Sequence, residues 1–269
     1  MKQVSSRPNS VEKALAVLLA FKIDQPSWGV RDLSAHLGFS PATVQRLLQT
    51  LKANDFVAQD PTSRQYRLGN VYFRFLDVLQ STYPVTRAAL PFMRELLAAT
   101  RETVHLNVID GMERVCIENM ESPQYLKASM PIGNRSPLYA GASSKCLLAF
   151  SVPEFIDPYI NQIELVPLTD HTIKDIGLLM EEIAQIRRQG FALSLGERTP
   201  GLGSLSAPVL DHNGAILAAI SLAIPEIRFK ENRYRQFCRA QLQSTSRRCS
   251  IAIGYADRVK PGPKSANSD

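Results

Sequence analysis

Residues 30–53, VRDLSAHLGFSPATVQRLLQTLKA, constrain this chain more than any other stretch. Apolar Leu33 and Leu37 precede Gly38, which supplies the positive φ a sharp turn needs. Ser40 then reads as an N-cap, with Pro41 at the first helical position, where its missing N–H costs nothing. In the helix that follows, Val44, Leu47, Leu48 and Leu51 recur at i, i+3, i+4 and i+7, so one face must be buried. The other face offers Ala42, Thr43, Gln45, Arg46 and Gln49, a set of short polar, amide and guanidinium groups suited to base edges in a major groove. The spacing predicts a helix-turn-helix. Taken alone, the same pattern also fits a helical hairpin inside a larger bundle.

The flanks favour the first reading. Asn9 as a cap with Glu12 three residues on predicts a preceding helix to about Phe21, with Val11, Leu15, Leu18 and Leu19 on its apolar face. After Ala53, two short apolar runs, 56–58 and 66–69, flank the polar turn 60–64 and predict a hairpin. Three helices and such a hairpin make a winged helix. Charge follows the same division: residues 1–70 carry nine Lys/Arg against five Asp/Glu, and residues 71–232 fourteen against eighteen. A basic N-terminal module on an acidic body suits phosphate contact, with Arg64 and Arg67 on the wing as its cations. Arg64 also fits a solvated turn charge, and Arg46 a phosphate contact in place of a base. Residues 233–264 hold eight basic residues against one acidic, read as a solvated or partner-facing helix side.

Length and composition allow two domains. With 269 residues and 45% apolar content, units of about 70 and about 170–180 residues can each bury a core. No apolar run reaches the roughly 18 residues of a membrane span, and the polar N-terminus lacks a secretory core, so a cytoplasmic location and no membrane contact are expected. Cys116, Cys146, Cys238 and Cys249, like the four histidines, lack ligand spacing; neither a metal nor a cofactor is expected.

Beyond Gly69, residues 71–84 predict a linker helix and 86–100 another. Alternation over 104–108, the Asp110-Gly111 turn and Val115-Cys116-Ile117 predict a hairpin; Asn213-Gly214 between 204–210 and 215–224 predicts a second. Thr172, with Asp175 three residues on, fits the cap of a helix ending at Gly190. Strand pairs interleaved with helices give an α+β class. The expected boundaries are 9–70 for the winged helix, 71–84 for the linker, 85–258 for the larger domain and 259–269 for a disordered tail.

Several segments together resemble one family: SVEKALAVLLAF, DLSAHLGFSPATVQRLLQTL, YRLG, Gly133-Asn134-Arg135-Ser136-Pro137-Leu138-Tyr139-Ala140, and the stretch from Gly190 through Glu197 to Val209 and on to Ser221. They are similar to the IclR family of bacterial transcriptional regulators over roughly residues 10–255. The resemblance implies a winged helix, a linker helix used in dimerisation, and a GAF-like C-terminal domain that binds a small effector, often a carboxylate or an aromatic catabolite. It implies double-stranded DNA as partner, at a pseudo-palindromic operator held by a homodimer, with a dimer of dimers left open. Carried over position by position, the effector pocket falls on Ala128, Met130, Ser136, Ala142, Ser143, Ser194, Leu202, Ser204, Ser221 and Ala223, with Arg135 as the nearest charge. Ser144 stands where the family commonly has Gly, and Ser194 where an acidic residue is frequent, so effector identity does not transfer.

Two other functional classes compete with this one. Ser143-Ser144-Lys145 and Gly201-Leu202-Gly203-Ser204 invite a hydrolase reading but fit neither Ser-x-x-Lys nor Gly-x-Ser-x-Gly. A sensor with a vestigial winged helix predicts a recognition face without Gln45 and Arg46. The expectation is therefore a regulator and not an enzyme.

Overall fold

The computed structural model describes residues 9–256, and the expected tail at 259–269 lies outside them. The chain divides between Tyr83 and Pro84 into two compact units.

The first unit holds α1 (Ser10–Leu19), β1 (Ser27–Trp28), α2 (Val30–Leu37), α3 (Pro41–Ala53), β2 (Val57–Gln59), β3 (Tyr66–Leu68) and α4 (Val71–Thr82). Asn9 caps α1 by accepting from Val11 and Glu12 N–H, while Glu12 reaches back to the Asn9 N–H at 2.7 Å. Gly38, at φ 68°, turns α2 into α3. Val17, Leu33, Val44, Leu47, Leu48, Val57 and Tyr66 share one core. The α1 face differs from the expected one. Ala14, Val17, Leu18 and Phe21 pack inward, whereas Val11 and Leu19 are 68% and 76% exposed and Leu15 is also outside. The helix carries two apolar stripes, and the i, i+3, i+4, i+7 set beginning at Ala14 is the one this unit buries.

The wing is a three-stranded antiparallel sheet in the order β1-β3-β2, one strand more than expected. The added strand is short but anchored: Trp28 Nε1 donates to Ala20 O at 3.0 Å and Ser27 Oγ to Gln65 Oε1 at 2.8 Å.

The second unit contains α5 (Val85–Thr100), β4 (Thr103–Asp110), β5 (Glu113–Met120), β6 (Arg135–Pro137), α6 (Ala142–Phe150), α7 (Pro153–Gln162), α8 (Ile176–Gln189), β7 (Ala192–Leu195), β8 (Leu202–Leu210), β9 (Ile216–Pro225), α9 (Glu226–Phe229) and α10 (Asn232–Ala252). One antiparallel sheet runs β6-β5-β4-β9-β8-β7. Central β9 is buried at every residue from Ala218 to Pro225, so helices cover both of its faces, which explains an apolar run without alternation. Helices α6, α7 and α8 build a core with Ala219 of β9, and α5 and α10 also pack on the sheet. The architecture is α+β, an N-terminal winged helix-turn-helix followed by a GAF-like sheet domain.

Asp175, not Thr172, caps α8, accepting from Leu178 N–H at 2.9 Å. The Thr172 hydroxyl ties Leu168 and Thr169 N–H to the Glu197 carbonyl. No helix of the described residues is long and apolar enough to cross a membrane.

Candidate nucleic-acid interface and effector cavity

The capping of α3 sets its outer face. Ser40 Oγ accepts from Thr43 N–H at 3.3 Å and lies 2.9 Å from Thr43 Oγ1, which holds both hydroxyls at the helix entrance. With Val44, Leu47, Leu48 and Leu51 buried, Ala42, Arg46 and Gln49 are exposed and Thr43 and Gln45 half-buried. Gln45 Nε2 donates to Tyr66 Oη at 3.4 Å, so the amide leans on a buried wing residue. No partner holds the Arg46 guanidinium among the described residues.

At the wing tip Asp60 Oδ1 accepts from Thr62 N–H, Ser63 N–H and Ser63 Oγ at 2.7–3.0 Å. The Ser63 contacts foremost hold its carboxyl below the usual range. Arg64 closes the turn at φ 61°, its N–H on Asp60 O at 3.0 Å, and its side chain is exposed at the tip. Arg67 is exposed on β3, with Nη1 donating to Leu68 O at 3.3 Å. The eight residues expected at DNA thus occupy one helix face and one hairpin of the first unit.

In the second unit a cavity of about 50 Å³ brings together Met130, Ala142, Ser143, Ser194, Leu202, Ser204 and Ala223. Ala128, Arg135, Ser136 and Ser221 do not line it. Ala128 O accepts from Thr103 Oγ1, Ser136 Oγ from Arg114 Nε, and Ser221 Oγ lies 2.8 Å from Ser206 Oγ. Arg135 is exposed and bound by Asp110 and Glu113 at 2.7 and 2.6 Å, which staples the β4-β5 turn to β6. A larger open groove of about 700 Å³ runs along α10 and β8 past Ala207, Gln243, Arg247 and Tyr255, away from these residues.

Six further residues complete the cavity wall: His105, Gly141, Glu197, Arg198, Thr199 and Gly203. Gly141 opens α6 at φ 91°, a conformation that side chains avoid, and its N–H donates to Glu197 Oε2 at 2.9 Å. Ala142 N–H donates to Ser194 Oγ at 3.1 Å. Glu197 Oε1 accepts from Lys145 Nζ at 2.6 Å, and Lys145, fully buried, also binds Glu182. Burial raises the Glu197 carboxyl against the pull of Lys145. Arg198 differs. It is partly buried, its Nη2 lies 3.3 Å from Met130 Sδ, and no carboxylate of the described residues is within ion-pairing distance. Burial lowers its affinity for its proton.

His105 is held by a chain of donors. Arg114, fully buried, donates from Nη1 to Asn107 Oδ1 at 3.3 Å. A guanidinium only donates, so Oδ1 is the acceptor and Nδ2 the donor of Asn107. Asn107 Nδ2 lies 2.8 Å from His105 Nδ1, which must accept, leaving the ring proton on Nε2. That Nε2 is buried and without a partner. Burial, reinforced by the Arg198 charge, lowers the imidazole to about 4, so the ring is neutral near pH 7.

The fold agrees with that of known proteins. Residues 78–251 match the bacterial transcriptional regulator IclR C-terminal domain, and residues 10–61 the IclR helix-turn-helix domain. The chain belongs to the IclR family. It is 33% identical over 256 residues to the HTH-type transcriptional regulator KdgR of Dickeya chrysanthemi, covering 94% of this chain and 84% of that protein. The crystal structure of the Thermotoga maritima IclR superposes with a TM-score of 0.80 at 25% identity, covering 92% of this chain and 99% of the other. An IclR homologue from Microbacterium hydrocarbonoxydans, complexed with 4-hydroxybenzoate, shares the fold at 18% identity and a TM-score of 0.74, over 91% and 99% of the two chains. The protein is accordingly a DNA-binding transcriptional regulator with an effector-binding C-terminal domain.

His105, Glu197 and Arg198 were not expected at the site. His105 stood in the sequence as one polar member of an alternating strand, and Arg198 as one cation of a loop whose conformation nothing local dictates.

Proposed function

We propose that the chain acts in the cytoplasm as a homodimer that places two copies of α3 in successive major grooves of a pseudo-palindromic operator, under the control of a small molecule in the cavity. The observation that carries this is α3 itself: a capped helix, buried along one side, that presents Arg46 and Gln49 outward with Gln45 and Thr43 at their flank. Gln45 and Arg46 read bases, Ser40, Ala42, Thr43 and Gln49 complete the contact face, and Arg64 and Arg67 hold backbone phosphates. One such helix covers too few base pairs for specificity, which the symmetric dimer supplies.

The effector site is the cavity around Ser204, Ser194 and the first turn of α6. Lys145 and Glu197, the residues a catalytic reading would recruit, are engaged with each other, which favours binding over turnover. Selection of bound duplexes from a random pool, with and without a panel of small organic acids, tests the reading. A two-fold-symmetric consensus whose recovery changes with one of the acids is the expected result. An asymmetric or absent consensus overturns the operator model.

A further inference from the structure

Two guanidinium groups converge on one thioether. Arg198 Nη2 donates to Met130 Sδ at 3.3 Å, and Arg114 Nη1 approaches the same sulfur at 3.7 Å. Arg114 is fully buried and its other acceptors are neutral: Ser136 Oγ, Asn107 Oδ1, and the carbonyl and side-chain oxygens of Asn134. Neither cation has a carboxylate within ion-pairing distance among the described residues, and a thioether is a weak acceptor. Their N–H groups are therefore short of acceptor strength, which costs free energy in a buried place. One oxygen added to the sulfur removes that deficit, because oxidation turns the apolar thioether into a polar sulfoxide. Met130 is only 8% exposed, but it lines the cavity of about 50 Å³, whose wall includes the exposed Thr199. That space exceeds the roughly 30 Å³ share of a water molecule in the liquid, so hydrogen peroxide fits against Sδ.

We propose that Met130 is an oxidative modification site, a thioether primed by Arg198 and Arg114 for oxygen transfer from hydrogen peroxide. The sulfur attacks one peroxide oxygen, and the S–O bond forms as the O–O bond breaks. Hydroxide departs, takes the proton of the transferred oxygen and leaves as water, so the sulfur is oxidised by two electrons and the peroxide is reduced. Negative charge develops on the departing oxygen. At an exposed methionine water donates to it, whereas a fully buried one such as Met93 lacks that water. At Met130 the Arg198 N–H groups stand in its place, in surroundings of low dielectric where they act more strongly. In the product both guanidinium groups hold the new oxygen, and the cavity loses room along the wall from Met130 to Arg198. Resting on the reading of this chain as an operator-binding regulator controlled through the cavity, the sulfoxide changes operator affinity by reshaping that wall.

Site-resolved mass spectrometry of the full chain under limiting hydrogen peroxide tests this. Met112 and Met180, 42% and 39% exposed, are the references for access, and Met93, fully buried, is the reference for unfolding. Met130 is expected to gain its oxygen at least as fast as Met112, although burial alone ranks it well behind. Arg198→Leu should slow Met130 about tenfold or more and leave Met112 unchanged. Arg198→Lys, which keeps a donor, should recover part of the rate. A variant that opens its core betrays itself by oxidation of Met93, and the wild-type ranking needs no variant. Oxidation of Met130 much slower than that of Met112 and Met180, or equally fast in Arg198→Leu, overturns the proposal. A second arm titrates the duplex selected by the ligand-free protein, before and after peroxide. Affinity should change about fivefold or more in the wild type and stay constant in Met130→Leu, which has no thioether. An equal change in Met130→Leu, or none in the wild type, overturns the regulatory half of the proposal. If no symmetric duplex is selected at all, the operator reading falls by itself and the oxidation rates still decide the site.

Discussion

The imidazole of His105 is in competition between solvent and fold. Free in the unfolded chain it takes a proton near its ordinary value of 6.5, whereas buried beside Arg198 it resists protonation to about 4. The folded value is depressed, so the unfolded state binds more protons across that window. Stability is therefore full above about pH 6.5 and is lost progressively as the pH falls towards 4, by about 3 kcal/mol for this one group. Denaturant melts at pH near 7 and near 4.5 should show a smaller acid loss in His105→Gln than in the wild type; equal losses would place the sensitivity elsewhere. At the surface the same scale of argument applies to the wing. Arg64→Ala keeps a left-handed non-glycine residue at the tip and removes only the cation, so all duplexes should weaken together and the salt dependence should drop by about one phosphate equivalent. Ala at Gln45 and Arg46 should instead lower the cognate-to-random ratio, by about 1–3 kcal/mol per good base contact. An unaltered ratio would remove both from base reading. The positions of these groups could be read from sequence because helix period and capping place Gln45 and Arg46 on the open side of α3, and the polar run 60–64 places Arg64 at a turn. That of Arg198 could not, since its place depends on how the six-residue loop joining paired β7 and β8 packs against Met130, far away in sequence, and Arg135 carried the stronger local signal yet is neutralised outside the cavity by Asp110 and Glu113.

Among the elements, α2 and α3 were legible almost to the residue because each boundary has its own chemical mark, Gly38 in the left-handed region and Ser40-Pro41 at a helix start. Both predicted hairpins of the second unit formed around Gly111 and Gly214. Strand β1 was illegible: two residues carry no period, and the strand exists because Trp28 reaches the Ala20 carbonyl. Helix α6 was hidden for the opposite reason, being buried on nearly every side and so lacking an amphipathic stripe. On α1, a local pattern named the outward stripe as the core. That stripe has a consequence, because Val11, Leu15 and Leu19 of α1 and Phe73, Leu76, Val78 and Leu79 of α4 leave two apolar helix faces uncovered within the first unit. Exposed apolar surface on this scale marks an association site, and the proposed homodimer is its natural occupant. Leu76→Asp with Leu79→Asp should halve the mass seen by sedimentation at micromolar concentration and cost operator affinity far more than single-site contacts. A double variant that sediments like the wild type would move the interface off α4.

For the whole molecule, the two units must be coupled if an effector is to matter to DNA. A ligand shifts the DNA-binding equilibrium only by the difference in its affinity for the two arrangements of the protein, commonly 1–3 kcal/mol or about 5- to 150-fold. The cavity belongs wholly to the second unit and the recognition helix wholly to the first, which makes α4, the last element before the division at Tyr83, the covalent path between them. Coupling is reciprocal, so operator DNA must change effector affinity by the same factor that the effector changes operator affinity. Filling the cavity severs this without touching the DNA face: Ser204, on β8 at the cavity wall, replaced by Phe leaves no room for a ligand in about 50 Å³. Operator titrations should then show no response to an acid that shifts the wild type, with ligand-free affinity kept within about threefold. A variant that still responds at the same acid concentration would place the controlling site outside this cavity, and a variant that loses ligand-free binding as well would show that the cavity walls themselves set the resting arrangement.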